Sequence, residues 1–177
     1  MTRPVTAPPA ALLRPTLDRA LVELSRGGAD AAVVREFDMT TRQFVDGGFT
    51  LPEAKSQVDW IDRDRVFVGT DFGPGTLTTS GYPRVAKEWR RGTAAEDAAT
   101  VFEGSESDVY AFATHDPTPG YERDLFVRAP DFFTSEEFVR VPDGPAVRID
   151  VPNDARIDVH RQWLLVNPRS RWMVEAA

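Results

Sequence analysis

The sequence predicts an all-β fold: an incomplete β-propeller of about three four-stranded antiparallel blades. Three observations carry that expectation: similar segments recur at a near-constant spacing, each period holds two hairpin-like units, and no long segment shows helical apolar periodicity. Segments beginning at Val33 (VVREFDMTTRQFV), Val85 (VAKEWRRGTAAEDAATVF) and Glu137 (EFVRVPDGPAVRIDV) stand 52 residues apart. Each leads from an apolar and charged strand through a polar turn into a second strand. The units that follow begin at Val58, Val109 and Ile157, with spacings of 51 and 48 residues. Two hairpins per period give four strands, and repeats of roughly 40–50 residues with four strands are the signature of propeller blades, which bury their faces on one another. Propellers close with about four to eight blades, so three periods make only an arc. A β-sandwich with regular spacing is the competing architecture.

Taken in order, the elements read as follows. Pro4, Pro8, Pro9 and Pro15 disfavour a helix at the amino end, so residues 1–15 are expected to be a mobile leader, with blades at about 16–70, 71–128 and 129–177. The runs Val66 to Val68 and Leu164 to Val166 are continuously apolar, as in strands covered on both faces. Val85 and Trp89 flank Lys87 at period two, and Val147, Ile149 and Val151 alternate with Arg148 and Asp150, as in strands with one buried face. Turn chemistry separates them at residues 62–64, 142–145 and 167–170. In TAAEDAATVF, Thr93 and Glu96 fit a capping box, so a helix of at most two turns and a plain turn both stay open there.

Composition bounds the function. The chain of 177 residues has room for one domain, and 41% hydrophobic with 28% charged residues is ordinary for a globular protein. A net charge of −7 and scattered Lys and Arg argue against nucleic acid. Cysteine is absent, which removes disulfides and thiolate metal sites. Neither an uninterrupted apolar signal segment nor a run of about 18 apolar residues occurs. The expectation is a cytoplasmic protein without membrane contact.

One stretch invites a chemical reading: VGTDFGPGTLTTSGYPRVAKEW, residues 68–89. A nucleophile elbow needs Gly-x-Ser-x-Gly, and Ser80 precedes Gly81 but follows Thr78 and Thr79. A phosphate loop needs lysine directly after its last glycine, where Tyr82 stands. A dinucleotide fingerprint must open a helix, and Pro83 follows instead. His115, in THDPTPGYER, is expected on a solvent-exposed polar turn. His160 shares a strand face with Asp158, a structural pair rather than a catalytic one. No ligand spacing suggests a metal or cofactor. What remains is a turn. Gly73 and Gly75 can take positive φ, Pro74 fixes a bend, and the hydroxyls can bond the loop's own backbone. A loop this long within a blade is often functional.

The segments LSRGGADAAVVREFD, FTLPEAKSQVDWIDRD, VGTDFGPGTLTTSGYPRVAKEWRRGT, VFEG and IDVPNDARIDVHRQWLLV resemble the propeller domain of bacterial prolyl oligopeptidase family serine peptidases. The resemblance implies a seven-bladed propeller that caps a separate α/β-hydrolase domain and restricts access to short peptides. It implies that this chain is a fragment of such a propeller, without the hydrolase domain and without catalytic residues of its own. The resemblance suggests that the loop Phe72, Gly73, Pro74, Gly75, Thr78, Thr79, Ser80 and Tyr82 faces that domain; a loop that only covers the channel end is the alternative. A stand-alone binding or assembly module is the second functional expectation. An open propeller leaves uncovered blade faces, so self-association as a homodimer is expected.

Overall fold

The computed structural model describes residues 10–142 and 144–173. These residues form fifteen β-strands in four antiparallel sheets, and no helix. The first sheet holds β1 (Ala10–Leu12), β2 (Arg19–Ser25) and β3 (Ala32–Asp38), with its fourth position split between β4 (Gln43–Phe44) and β5 (Thr50–Ala54), both paired to β3. The second runs β6 (Gln57–Asp62), β7 (Arg65–Gly69), β8 (Val85–Arg90), β9 (Ala99–Glu103). The third runs β10 (Tyr110–Asp116), β11 (Arg123–Ala129), β12 (Glu136–Arg140), β13 (Val147–Arg148). A last hairpin pairs β14 (Arg156–His160) with β15 (Trp163–Asn167). The all-β arc of three blades is therefore present, followed by two strands of a fourth sheet.

The alternation of side chains along a strand explains how the sheets stack. On β7, Val66 and Val68 join Leu21, Val34, Leu51 and Phe49 of the first sheet, while Phe67 points the other way onto Ala113 and Phe126 of the third. All three residues are 1% exposed, which is why this run has no polar position. In the first seam the Phe49 ring meets Trp60 and Trp89 edge-on at centroid distances of 5.7 and 4.9 Å. In the second, Phe102 stacks on Phe126 at 5.3 Å and Phe67 meets Phe126 edge-on at 6.1 Å.

Charge joins the first two blades as well. Glu36, 2% exposed, receives both Arg91 terminal nitrogens at 2.8 and 3.1 Å and the Phe49 amide at 3.0 Å. Arg19 Nε stands 3.5 Å away. Gly48 is required beside this carboxylate, since a Cβ there would lie 2.9 Å from Glu36 Oε2.

Several expectations are corrected. The sheets divide at residues 55–56, 104–109 and 149–155, not near 70 and 128. The β6–β7 hairpin shares a sheet with β8 and β9, because the long 70–84 connection lies inside a blade and the short ones lie between blades. The leader's residues 1–9 lie outside the described residues, but 10–15 are folded: Ala10–Leu12 pairs with Ala20–Val22 and Leu13 is 4% exposed in the first seam. Residues 93–98 form turns that lead into β9, so the helix is absent. Beyond Arg148 the alternating run leaves the sheet, and Val147 is exposed. Leu164 and Leu165 are exposed rather than covered on both faces, because β14 and β15 pair with each other and neither apolar cluster of the arc takes in a residue of this hairpin.

Against that hairpin lies Glu137, lining a cavity with Ile157 and Tyr110. Burial pushes its carboxyl up to about 7; a Ser135 hydrogen bond opposes this and the charge of Asp158 adds to it. The folded chain therefore holds this proton at pH values where the unfolded chain, near 4.5, has released it. Stability from this group falls as pH rises from about 4.5 to about 7. Glu137→Gln, which stays neutral, is expected to melt higher than the parent at pH 8, by about 2–4 °C per kcal/mol regained, and to match it at pH 4.5. Thermal melts at the two pH values check this; an equal difference at both contradicts it.

Candidate functional site

The first strands of all four sheets meet around one cavity of about 480 Å³, with Leu12 from β1, Asp59 and Ile61 from β6, His115 and Asp116 from β10, and Val159 from β14 on its wall. This is the arrangement of innermost strands around a propeller channel. Antiparallel order then fixes the two faces of the arc. The β2–β3, β7–β8 and β11–β12 connections share one face with the links between blades, and the β6–β7 and β10–β11 turns lie on the other.

The 70–84 loop lies on the first of these faces. Gly73, Gly75 and Gly81 take positive φ values of 103°, 80° and 77°, which supply the reversals that residues with a Cβ resist. The Thr76 hydroxyl donates to Gly73 O at 2.7 Å and accepts from the Phe72 amide at 3.0 Å. Thr78, 5% exposed, accepts from the Tyr82 amide at 3.2 Å. The hydroxyls thus serve the loop's own backbone, as expected, but they also tie it to the neighbouring blades. Thr78 and Ser80 hydroxyls both donate to Val109 O at 3.2 Å, and the Thr79 amide donates to Glu106 O at 2.9 Å. In the other direction the Tyr82 hydroxyl reaches Asp30 at 3.4 Å, and the Lys55 ammonium sits 4.1 Å from the Tyr82 ring centre. Phe72 packs on the first seam under Lys87. Pro74 and Gly75 are exposed at the tip. The loop is a strap across three blades. Lys55, Asp30 and Val109 complete it, and no local sequence signal marks them, since they lie 25 to 52 residues away.

The structure separates the groups that could have made a catalytic set. Ser80 spends its hydroxyl proton on Val109 O. His115 stands six positions farther along from Val109, about 20 Å of strand away. It is not on an exposed turn: it lies near the end of β10, its amide donates to Asp59 Oδ2 at 2.8 Å, and its ring Nδ1 is 2.8 Å from Asp124 Oδ1. The expectation failed because Asp124 arrives from the paired strand. Burial pushes the Asp59 carboxyl up, which the His115 amide only partly offsets. Burial also opposes ionisation of Asp124, but bonds from His115 and Arg140 hold its carboxyl below the usual range. His160 and Asp158 are both exposed on β14, and Asp158 lies 3.6 Å from Arg156. Among the described residues no three His, Asp or Glu side chains gather where they could hold a metal ion.

No family model matches the chain. It is 41% identical over 126 residues to an uncharacterized peptidase of Sinorhizobium fredii, a match covering 70% of this chain and 17% of that protein. It is 27% identical over 172 residues to an uncharacterized peptidase of Rickettsia prowazekii, covering 88% of this chain and 23% of that one. This chain thus spans less than a quarter of either relative's length. Among solved structures, a post-proline cleaving enzyme from Rickettsia typhi superposes with a TM-score of 0.83 at 24% identity, covering 93% of this chain and 26% of that one.

Thr78→Val removes a buried hydroxyl that serves the Tyr82 amide and Val109 carbonyl. The substitution is expected to cost about 1–3 kcal/mol and to speed tryptic cleavage at Arg84. Urea titration and timed proteolysis read both; a variant as stable and as resistant as the parent contradicts the strap.

Proposed function

We propose that this chain is a segment of the propeller of a prolyl oligopeptidase-family peptidase, and that its role in an intact peptidase is to gate and select peptides bound for a separate α/β-hydrolase domain. The observation that carries the reading is topological. Each blade begins with its innermost strand and finishes its last strand on the face that bears the 70–84 loop. A catalytic domain joined through the ends of the blade series attaches on that face, over the channel mouth. Phe72 to Tyr82 then faces it, and the strap across three blades holds the mouth at a fixed width. In this reading the chain alone hydrolyses nothing.

A second reading, self-association as a homodimer, draws support from the uncovered last hairpin, where Trp163 is 63% and Leu165 57% exposed. Sedimentation mass distinguishes it without disturbing the first.

The purified chain is expected to leave proline-containing chromogenic peptides intact, and Ser80→Ala to change nothing. Turnover that copurifies with the chain through successive columns contradicts the proposal.

A further inference from the structure

We propose that the channel holds a site for a primary ammonium group, formed by Glu23, Asp59 and Gln57 beside the ring of Phe112. Resting on the gating reading above, that ammonium belongs to a peptide in the channel, at its amino terminus or on a lysine side chain.

A cavity of about 270 Å³ opens between the first three blades, with Glu23 from β2, Ser56 to Asp59 at the head of β6 and Phe112 to Thr114 from β10 on its wall. Its place ties it to the mouth. β6 and β10 both begin on the face that bears the 70–84 loop, and the Ser56 hydroxyl shares a 2.7 Å hydrogen bond with that of Thr70, where the loop starts. Asp59 also lines the cavity around His115, so the two cavities share a wall along the channel.

The wall offers acceptors and no cation: none of its eight residues is Lys, Arg or His. Burial alone pushes the Glu23 carboxyl up, with neither a hydrogen bond nor a nearby charge to offset it. Asp59 accepts the His115 amide, which offsets only part of its burial. The cationic side chains that act on Asp59, Arg14 and His115, both line the other cavity. Gln57 Oε1 is buried and, among the described residues, accepts no hydrogen bond. A buried acceptor left unmade is costly, and two carboxylates short of partners call for positive charge with several N–H donors. An ammonium carries three. The Phe112 ring adds a surface that attracts cations, and Val58 and Ala113 can cover the methylenes behind the nitrogen. Among the described residues no three His, Asp or Glu side chains converge, so a bare metal ion would lack ligands here.

The test titrates the whole isotope-labelled chain with three probes: alanyl-alanine amide, its N-acetylated form, and N-acetyl-lysine amide. Backbone resonances of Gln57 and Thr114 report the binding. At least one ammonium probe is expected to bind about 10-fold more tightly than the acetylated dipeptide, and which one does so tells an amino terminus from a side chain. Glu23→Gln and Asp59→Asn keep the size of the side chain, and each is expected to weaken that binding by about 10-fold with the other resonances in place. The site is overturned if neither ammonium probe binds better than the acetylated dipeptide, or if Glu23→Gln binds as tightly as the parent. Either result leaves the gating reading standing, whose own failure shows as turnover of the chromogenic peptides.

Discussion

The structure depends on one constraint: a sheet with two apolar faces has to be covered on both. β7 meets it completely, with Val66 and Val68 in one seam and Phe67 in the other, each 1% exposed. Full burial of such side chains contributes about 1.5–3 kcal/mol each, which makes the middle blade the natural centre of stability. The first and third blades each lean on it from one side. The last hairpin contributes to neither apolar cluster, and Trp163, Leu164 and Leu165 stand in water as a result. Stacking with successive rotation also brings the innermost strands around a common cavity, so the channel follows from the same constraint.

Apolar stacking fixes which sheets touch; directional bonds fix how they are aligned. Glu36 shows this most clearly, because a buried carboxylate is tolerable only with its partners in place. Arg91 reaches it from the second blade, while Arg19 and the Phe49 amide belong to the first. The Arg91 guanidinium also lies 4.6 Å from the centre of the Phe49 ring, joining the polar contact to the aromatic seam. Across the next seam the His115 amide bonds Asp59. The 70–84 strap adds a third set of ties on the opposite face. Each spans a blade boundary, so the arc has a defined curvature and its channel a defined mouth.

What the sequence made legible was whatever is written locally. The period-two run from Val85 to Trp89, the apolar stretch at Val66 and the glycine turns at Gly73 and Gly75 found their expected structures, whereas the run from Val147 left its sheet after Arg148. The family segments led to the right architecture. The phase of the repeat was not legible, since equal spacing does not reveal whether the Val58 hairpin pairs backwards or forwards along the chain. Pairing decides that through β7 and β8, across a 15-residue loop. Nor could the leader's folded end be read, since proline signals said nothing about a short strand at Ala10–Leu12. The roles of His115 and Glu36 escaped for a related reason: Asp124 and Asp59 lie 9 and 56 residues from His115, and Arg91 lies 55 from Glu36. The exposure of Leu164 and Leu165 depends on how little of the arc packs onto their hairpin, which no local pattern encodes.

If coverage on both faces is what holds each sheet, protection of backbone amides should follow position in the stack. Amide hydrogen exchange at neutral pH reads this strand by strand. The account predicts slowest exchange in β7, intermediate exchange in β2 and β11, and near-unprotected exchange in β15. Protection in β15 equal to that in β7 would contradict it.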